Sequence, residues 1–306
     1  MLSDEKLAEI AAGYAKNTPE LSLSVGILTP SGITRHCFGE SGVRMPVHAH
    51  TYEIGFVTKT FTAALAVQRA LDLDMCVFSG VTLRQLFTHS AGIPEYPLPD
   101  RMDENPFADV TAADVRAFLA DKTPGRDAPW AYSNTGFARI GMFLEEKFHC
   151  PFYRLLADFI SGTLHLPNTH FGFAGADLCG HDGRRAFRWQ WREDSAFLPA
   201  GGLVSDLADR IAYLQLYMQV PMYDVCHRIH RETRMPFDMG LTFMKQKESG
   251  VVFSMGLTEG FSSFIGFDPA RQNGAVVLSN YCGYGCGNPD TPSGIGFAIR
   301  NTLHTM

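Results

Sequence analysis

The last third of the chain places the strongest constraint on its fold. Three short runs, 251–254, 261–267 and 275–279, are apolar or alternate in polarity, and Gly, Asp-Pro and Asn-Gly turn signals separate them. Only three residues between positions 250 and 289 carry a charge. This pattern predicts neighbouring strands of a sheet that is largely buried.

The start of the chain is predicted to contribute a helix and a β-hairpin. Residues Leu7, Ile10, Ala11 and Tyr14 recur at the spacing of one helix face. The apolar runs 21–29 and 33–38 follow, and a Pro-Ser-Gly turn separates them. Strands are therefore expected at both ends of the chain.

The middle of the chain is predicted to be helical. Thr111-x-x-Asp114 has the form of a capping box at a helix start. We predict Ser205 as the N-cap of a later helix. The predicted helical segments are 56–71, 136–148, 152–160, 206–218 and, at the end, 294–304.

This order of elements predicts an α/β (α+β) fold with an inserted helical lobe. Residues 1–50 and 196–306 are expected to form the α/β domain, and residues 51–195 the lobe. A cleft between two such lobes is the expected binding site for a small molecule.

Composition excludes several classes of function. Lys+Arg 26 against Asp+Glu 32 gives a net charge of −6, which argues against nucleic-acid binding. No apolar stretch is long enough to span a membrane, and the first residues lack the features of a signal peptide. The seven cysteines are scattered and odd in number, so we expect a cytoplasmic protein.

We expect neither a metal nor a cofactor. His48-x-His50 could place two imidazoles on one face of a strand, but no third ligand accompanies them. The glycine-rich stretch 283–287 lacks the spacing of a dinucleotide-binding loop. The expected partner is therefore a small-molecule substrate alone; the sequence indicates no oligomeric state.

Five phrases in the chain together resemble one protein family. They are YEIGFVTKTFTA (52–63), TLRQLFTHSAGIP (82–94), PWAYSNTGFARIG (129–141), FLPAGGLVSDLAD (197–209) and GLTEGFSSFIGFDP (256–269). Their content and order resemble the serine β-lactamase and penicillin-binding protein superfamily, in the branch of class C β-lactamases, DD-peptidases and esterases. The resemblance implies an antiparallel sheet flanked by helices, and His89 would be a structural histidine in a turn.

The superfamily's chemistry depends on three short motifs. Its Ser-x-x-Lys corresponds here to Phe56-Val57-Thr58-Lys59, so the lysine is present and the nucleophilic serine is replaced by phenylalanine. Its Tyr-x-Asn corresponds to Tyr132-Ser133-Asn134 and is intact. Its Lys- or His-x-Gly corresponds to Ser254-Met255-Gly256, where serine stands at the position of the cation.

These departures indicate chemistry without an acyl-serine, because a phenyl ring cannot form a covalent ester. A lysine beside an aromatic ring loses hydration, which favours its neutral amine and allows it to act as a base. We therefore predict Lys59 as the base and Tyr132 as its acid/base partner. The reaction would be an isomerisation, elimination or cyclisation of a small carbonyl-containing metabolite.

The remaining predicted site residues would bind the substrate. Phe56 would shape the pocket and exclude water from it, and Asn134 would orient the substrate. Ser254, Gly256 and Thr258 would contact the substrate from the facing strand. The backbone amides near Phe56 and Thr258 are expected to polarise a carbonyl.

Two other functions stay open at this point. The chain could be a serine-type hydrolase or acyltransferase whose nucleophile has moved to Ser254. Alternatively, it could be a catalytically inactive protein that binds a ligand in the inherited cleft.

Overall fold

A computed structural model describes residues 4–15, 18–98, 104–125, 128–182 and 185–282. The predicted helix at 294–304 lies outside these residues. Within them the α-helices are α1 (Asp4–Ala15), α2 (Thr58–Gln68), α3 (Leu83–Phe87), α4 (Ala112–Leu119), α5 (Asn134–Phe148), α6 (Phe152–Phe159), α7 (Leu198–Gly201), α8 (Leu207–Gln219) and α9 (Asp224–His227). The strands are β1 (Leu23–Thr29), β2 (Gly32–Phe38), β3 (Arg44–Met45), β4 (Tyr52–Glu53), β5 (Cys76–Phe78), β6 (Val81–Thr82), β7 (His170–Phe171), β8 (Gly180–His181), β9 (Ala186–Phe187), β10 (Leu203–Ser205), β11 (Phe237–Met239), β12 (Met244–Gln246), β13 (Val252–Leu257), β14 (Ser262–Asp268) and β15 (Asn273–Ser279).

The main sheet joins the two ends of the described chain. Its eight strands run in the order β11-β12-β13-β14-β15-β1-β2-β3, and every neighbouring pair is antiparallel. The predicted hairpin β1–β2 pairs directly with β15, with Val25 opposite Val277. The fold is thus the expected mixed α/β fold with an antiparallel sheet flanked by helices.

The two faces of this sheet belong to two separate apolar clusters. Val276 and Ile265 pack in the larger cluster, which also contains the helices of the middle of the chain. Val277 and Phe264 pack in the smaller cluster, against Leu7 of α1. Adjacent residues on one strand therefore serve opposite faces, as the alternation of side chains in a strand requires.

The middle of the chain is helical as predicted, but three helix starts differ, and α5 begins at Asn134 rather than at residue 136. The capping box of Thr111 and Asp114 is confirmed at the start of α4. The predicted N-cap Ser205 is wrong: Ser205 ends β10, and the Asp206 carboxylate accepts the N–H of Asp209 instead. Phe56 lies not in α2 but in the 3-10 turn Gly55–Val57 that precedes it.

The predicted division at residues 50 and 195 stays a prediction. The larger apolar cluster contains residues from both predicted units, such as Phe61 and Ile265.

None of the described helices has the length and apolar character that crossing a membrane would require.

Candidate active site

Lys59 lies at the meeting point of three helices. It occupies the first turn of α2 and is 3% exposed. Its Nζ donates to Asn134 Oδ1 of α5 at 2.7 Å and to the Ala200 carbonyl oxygen of α7 at 3.2 Å. Two residues of the predicted site, 75 positions apart in the chain, thus form a direct hydrogen bond.

The ring of Phe56 covers the lysine amine. Lys59 Nζ lies 4.0 Å from the centroid of the Phe56 ring, because residues three apart at a helix start lie on one side. Phe107 and Tyr132 contact the same ring edge-to-face, with centroids 5.9 and 6.1 Å away. The position one turn before the lysine is therefore filled by hydrocarbon.

Burial lowers the pKa of Lys59 well below that of a lysine in water, since the ammonium is deprived of hydration. The negative charge of Glu95 acts in the opposite direction and is the weaker effect. Glu95 caps the start of α5, where its Oε1 accepts the Asn134 N–H at 2.7 Å. Burial is the larger of the two effects and shifts Lys59 towards its neutral form.

Tyr132 forms the outer wall of the site. Its surface is 40% exposed, and Lys59 Nζ faces its ring at 4.9 Å from the centroid. Desolvation around the hydroxyl and the charge of Glu95 both raise the pKa of this phenol. Tyr132 therefore carries its proton at neutral pH and can act as an acid.

A small cavity of about 40 Å³ opens beside Lys59. The lining residues are Phe56, Lys59, His89, Trp130, Tyr132, Met239, Thr242, Met244, Ser254 and Met255. This volume holds about three water molecules and is far below the several hundred Å³ typical of ligand pockets. With the Phe56 ring in this position, the cavity accepts one functional group rather than a whole substrate.

His89 has the structural role that was expected of it. It adopts a left-handed backbone conformation with φ of 54°, and its Nδ1 accepts the Ser133 N–H at 3.1 Å. Burial lowers the pKa of His89 to about 3. The imidazole is therefore neutral and holds the start of α5 in place.

Two residues that line the cavity beside Lys59 were not predicted from the sequence. Trp130 Nε1 and Thr242 Oγ1 are buried and have no hydrogen-bond partner among the described residues. Thr242 also has a φ of 76°, an unusual conformation for a β-branched residue. Backbone strain and unpaired polar atoms are concentrated at functional sites. The only sequence feature that could have indicated either residue as part of the site was the position of Trp130, two residues before Tyr132.

The strand β13 forms the facing wall. Ser254 is 4% exposed and lines the cavity. Gly256 does not line it but allows close packing, because a Cβ there would lie 2.0 Å from the Ile54 carbonyl oxygen. This places β13 directly against the turn that carries Phe56.

Thr258 lies outside the cavity, and its role in substrate binding stays a prediction. Its N–H donates to the Phe261 carbonyl oxygen at 3.0 Å and its Oγ1 accepts the Phe261 N–H, so both groups close the β13–β14 hairpin. Thr258 is not among the residues that line the cavity. The neighbouring Leu257 lies closer to the helix turn, since a Cβ on Gly55 would be 2.9 Å from the Leu257 nitrogen.

The described residues contain no group of three or more His, Cys, Asp or Glu side chains that could hold a metal ion. His48 is engaged elsewhere, with its Nε2 3.0 Å from the Ser22 hydroxyl.

Similar folds occur among solved structures. The octameric penicillin-binding protein homologue from Pyrococcus abyssi superposes with a TM-score of 0.78 at 22% identity, over 98% of this chain and 78% of that one. A class C beta-lactamase from Rhodobacter sphaeroides gives a TM-score of 0.76 at 18% identity, over 96% and 99% of the two chains. These similarities establish the fold.

Sequence comparison identifies the family. A beta-lactamase of Lysobacter lactamgenus is 22% identical over 342 aligned positions, which cover 91% of this chain and 87% of that protein. A beta-lactamase of Providencia stuartii is 26% identical over 220 residues, and the match spans 66% of this chain but only 56% of the relative. The beta-lactamase family profile matches residues 34–285, so this chain belongs to the beta-lactamase family.

Proposed function

We propose that this chain is an enzyme that has lost the serine nucleophile of its family and performs acid/base chemistry on a small carbonyl compound. One observation carries the proposal: the Phe56 ring lies 4.0 Å from Lys59 Nζ, where the resemblance would put the attacking serine. A phenyl ring cannot attack a carbonyl, whereas the amine and phenol beside it can still move protons.

The hydrogen bonds of Lys59 suit the role of a base. A neutral amine has two N–H groups, and these are accounted for by Asn134 Oδ1 and the Ala200 carbonyl oxygen. The remaining tetrahedral position is the lone pair. It is the group left over to remove a proton from a molecule in the cavity.

The other polar groups would complete the reaction. The indole N–H of Trp130 and the hydroxyl of Thr242 have no partner within the described part of the chain and can donate to a carbonyl oxygen. Lys59 would take a proton from the carbon next to that carbonyl, giving an enolate that these donors stabilise. Tyr132 would return a proton at a second atom in an isomerisation, or protonate the leaving group in an elimination.

The cavity limits which part of a substrate enters. At about 40 Å³ it can enclose a carbonyl and its neighbouring carbon. The rest of the substrate would extend past Tyr132, the exposed wall of the site.

Proton exchange tests this proposal without knowledge of the substrate. We expect the protein to accelerate exchange of deuterium from D₂O into the α-carbon of small aldehydes and ketones, followed by proton NMR. Lys59→Met should lower the rate about 100-fold, the scale of general base catalysis, and Tyr132→Phe should spare this first half-reaction. Because burial lowers the pKa of Lys59, exchange should persist well below pH 10.5.

The matched control is Lys122→Met, an exposed lysine outside the cavity that pairs with its neighbour Asp121. It should exchange at the rate of the unaltered protein. The proposal is wrong if the unaltered protein exchanges no faster than buffer, or if Lys59→Met keeps the full rate.

A hydrolase with Ser254 as nucleophile is the second candidate. Ser254 lines the same cavity as Lys59 and is buried there. A fluorophosphonate probe would then label the protein, and Ser254→Ala would abolish labelling while the exposed Ser161→Ala would not. Absence of labelling eliminates this candidate, and absence of both labelling and exchange favours a protein that only binds.

A further inference from the structure

A groove of about 590 Å³ lies behind α7 and shares no lining residue with the cavity beside Lys59. Its volume falls within the range of small-molecule sites. The first turns of α4 and α6, the middle of α5 and the segment 193–199 form its walls. It is more than ten times larger than the cavity beside Lys59.

The walls of the groove combine apolar surface with negative charge. Met142, Phe152 and Leu198 contribute apolar surface. The charged side chains that line it are all carboxylates, namely Glu145, Glu193 and Asp194, and no lysine, arginine or histidine is among its lining residues.

These carboxylates are not equally available. Asp194 is paired with Arg192 at 3.0 Å, and Glu145 uses Oε1 to accept the Phe152 N–H at 2.8 Å. Glu193 is exposed, and the positive charge of Arg154 acts on it. At the start of α4 the Asp114 carboxylate accepts the Thr111 N–H, and at the start of α6 Glu145 accepts the Phe152 N–H, so negative charge already lies at both helix starts.

We propose that this groove binds a small amphiphilic amine, with its ammonium group beside Glu193 and the free oxygen of Glu145 and its apolar part against Met142 and Leu198. This inference goes beyond the proposed function, because it concerns a different site and a different molecule. Charge complementarity supplies the cation, and the apolar floor supplies the rest of the ligand.

The short helix α7 connects this groove to the lysine. Leu198 and Pro199 line the groove, whereas the next residue, Ala200, accepts the hydrogen bond from Lys59 Nζ. Gly201 lies against the Phe56 ring, since a Cβ there would be 3.4 Å from the ring carbons. A ligand that shifts α7 therefore acts on Lys59 and Phe56 together, which makes the groove an effector site.

Three probes of matched shape test the chemistry of the ligand. They are 2-phenylethylamine, the neutral 2-phenylethanol and the anionic phenylacetate, titrated at pH 7 by calorimetry and by amide NMR. We expect the amine to bind about tenfold more tightly than the alcohol, the contribution of one charge-assisted contact, and phenylacetate to bind least. Amide shifts should be largest on α7 and reach Lys59.

Variants separate the groove from the rest of the surface. Glu193→Gln should bring the affinity of the amine close to that of the alcohol, whereas Glu248→Gln, an exposed glutamate outside the groove, should change nothing. Ala113→Trp places a large side chain on an exposed position of α4 that lines the groove and should abolish binding, with folding checked by thermal unfolding.

Equal affinity for the amine and the alcohol would overturn the proposal, as would undiminished binding to Ala113→Trp. Binding confined to the groove with no NMR shift on α7 would refute its role as an effector site. None of these outcomes depends on proton exchange at Lys59, so a failure here is distinguishable from a failure of the proposed function.

Discussion

Replacing Phe56 with serine is expected to give an esterase rate about a thousandfold higher than that of the unaltered protein. The new hydroxyl would stand one turn before Lys59, where the Phe56 ring now lies 4.0 Å from Nζ. The neutral amine could then take the hydroxyl proton, and such base assistance contributes roughly 10²–10⁴ in rate. Removing the ring also enlarges a cavity that now holds only about 40 Å³.

The measurement is a burst of p-nitrophenol from p-nitrophenyl acetate. Phe56→Ala is the matched control, because it opens the cavity without supplying an oxygen. Adding Lys59→Met to Phe56→Ser should remove the gain. The ring packs against Phe107 and Tyr132, so we expect a loss of about 2 kcal/mol in stability, which denaturant unfolding can check. A folded Phe56→Ser protein without a burst would show that the machinery is no longer aligned.

Local patterns were sufficient to predict most of the fold. The alternation in β14 and β15 is explained by the two apolar clusters that Val276 and Val277 join on opposite faces. Thr111 and Asp114 form a capping box because both partners lie within one turn. Ser205 was misassigned because its neighbour Asp206 is an equally good cap, and pairing of β10 with β4 retains Ser205 in a strand.

Residues of the candidate site could be predicted from the sequence where they belong to a recognisable motif. Residues that only the tertiary fold brings to the cavity could not be predicted. Lys59 and Asn134 belong to two recognisable motifs, and they do form a hydrogen bond. Thr242 lies in a loop without a motif, and only the tertiary fold brings it to the cavity. Thr258 follows the last residue of β13, and its N–H makes a hairpin hydrogen bond rather than facing the cavity, which a motif in the sequence does not reveal.

A second large effect is expected at Arg210 in α8, where replacement by methionine should stabilise the fold. Arg210 is 1% exposed, and none of its three side-chain nitrogens has a hydrogen-bond partner among the described residues. Burial lowers the pKa of Arg210 to about 10, so the guanidinium is still charged at neutral pH. The fold thus bears the desolvation cost of a cation that makes no hydrogen bond to any residue the structure describes.

Aromatic rings compensate only part of that cost. The guanidinium carbon lies 5.3 Å from the Phe61 ring centroid and 5.0 Å from that of Tyr213. Cation–π contacts contribute about 1–2 kcal/mol, whereas an unpaired buried charge costs several. Methionine would fill much of the same volume and keep the contact with both rings.

We therefore expect Arg210→Met to raise the free energy of unfolding by about 2 kcal/mol, measured in urea at neutral pH. Arg228→Met, at an exposed position, should change it by less than about 0.5 kcal/mol. Arg210→Lys should give no gain, since it keeps the buried charge. Because Phe61 follows Lys59 by two residues on α2, the rate of proton exchange should be compared as well. A stabilised variant with an unchanged exchange rate would show that Arg210 affects only the stability of the core. A destabilised variant would mean that the guanidinium has a partner in solution and would contradict the prediction.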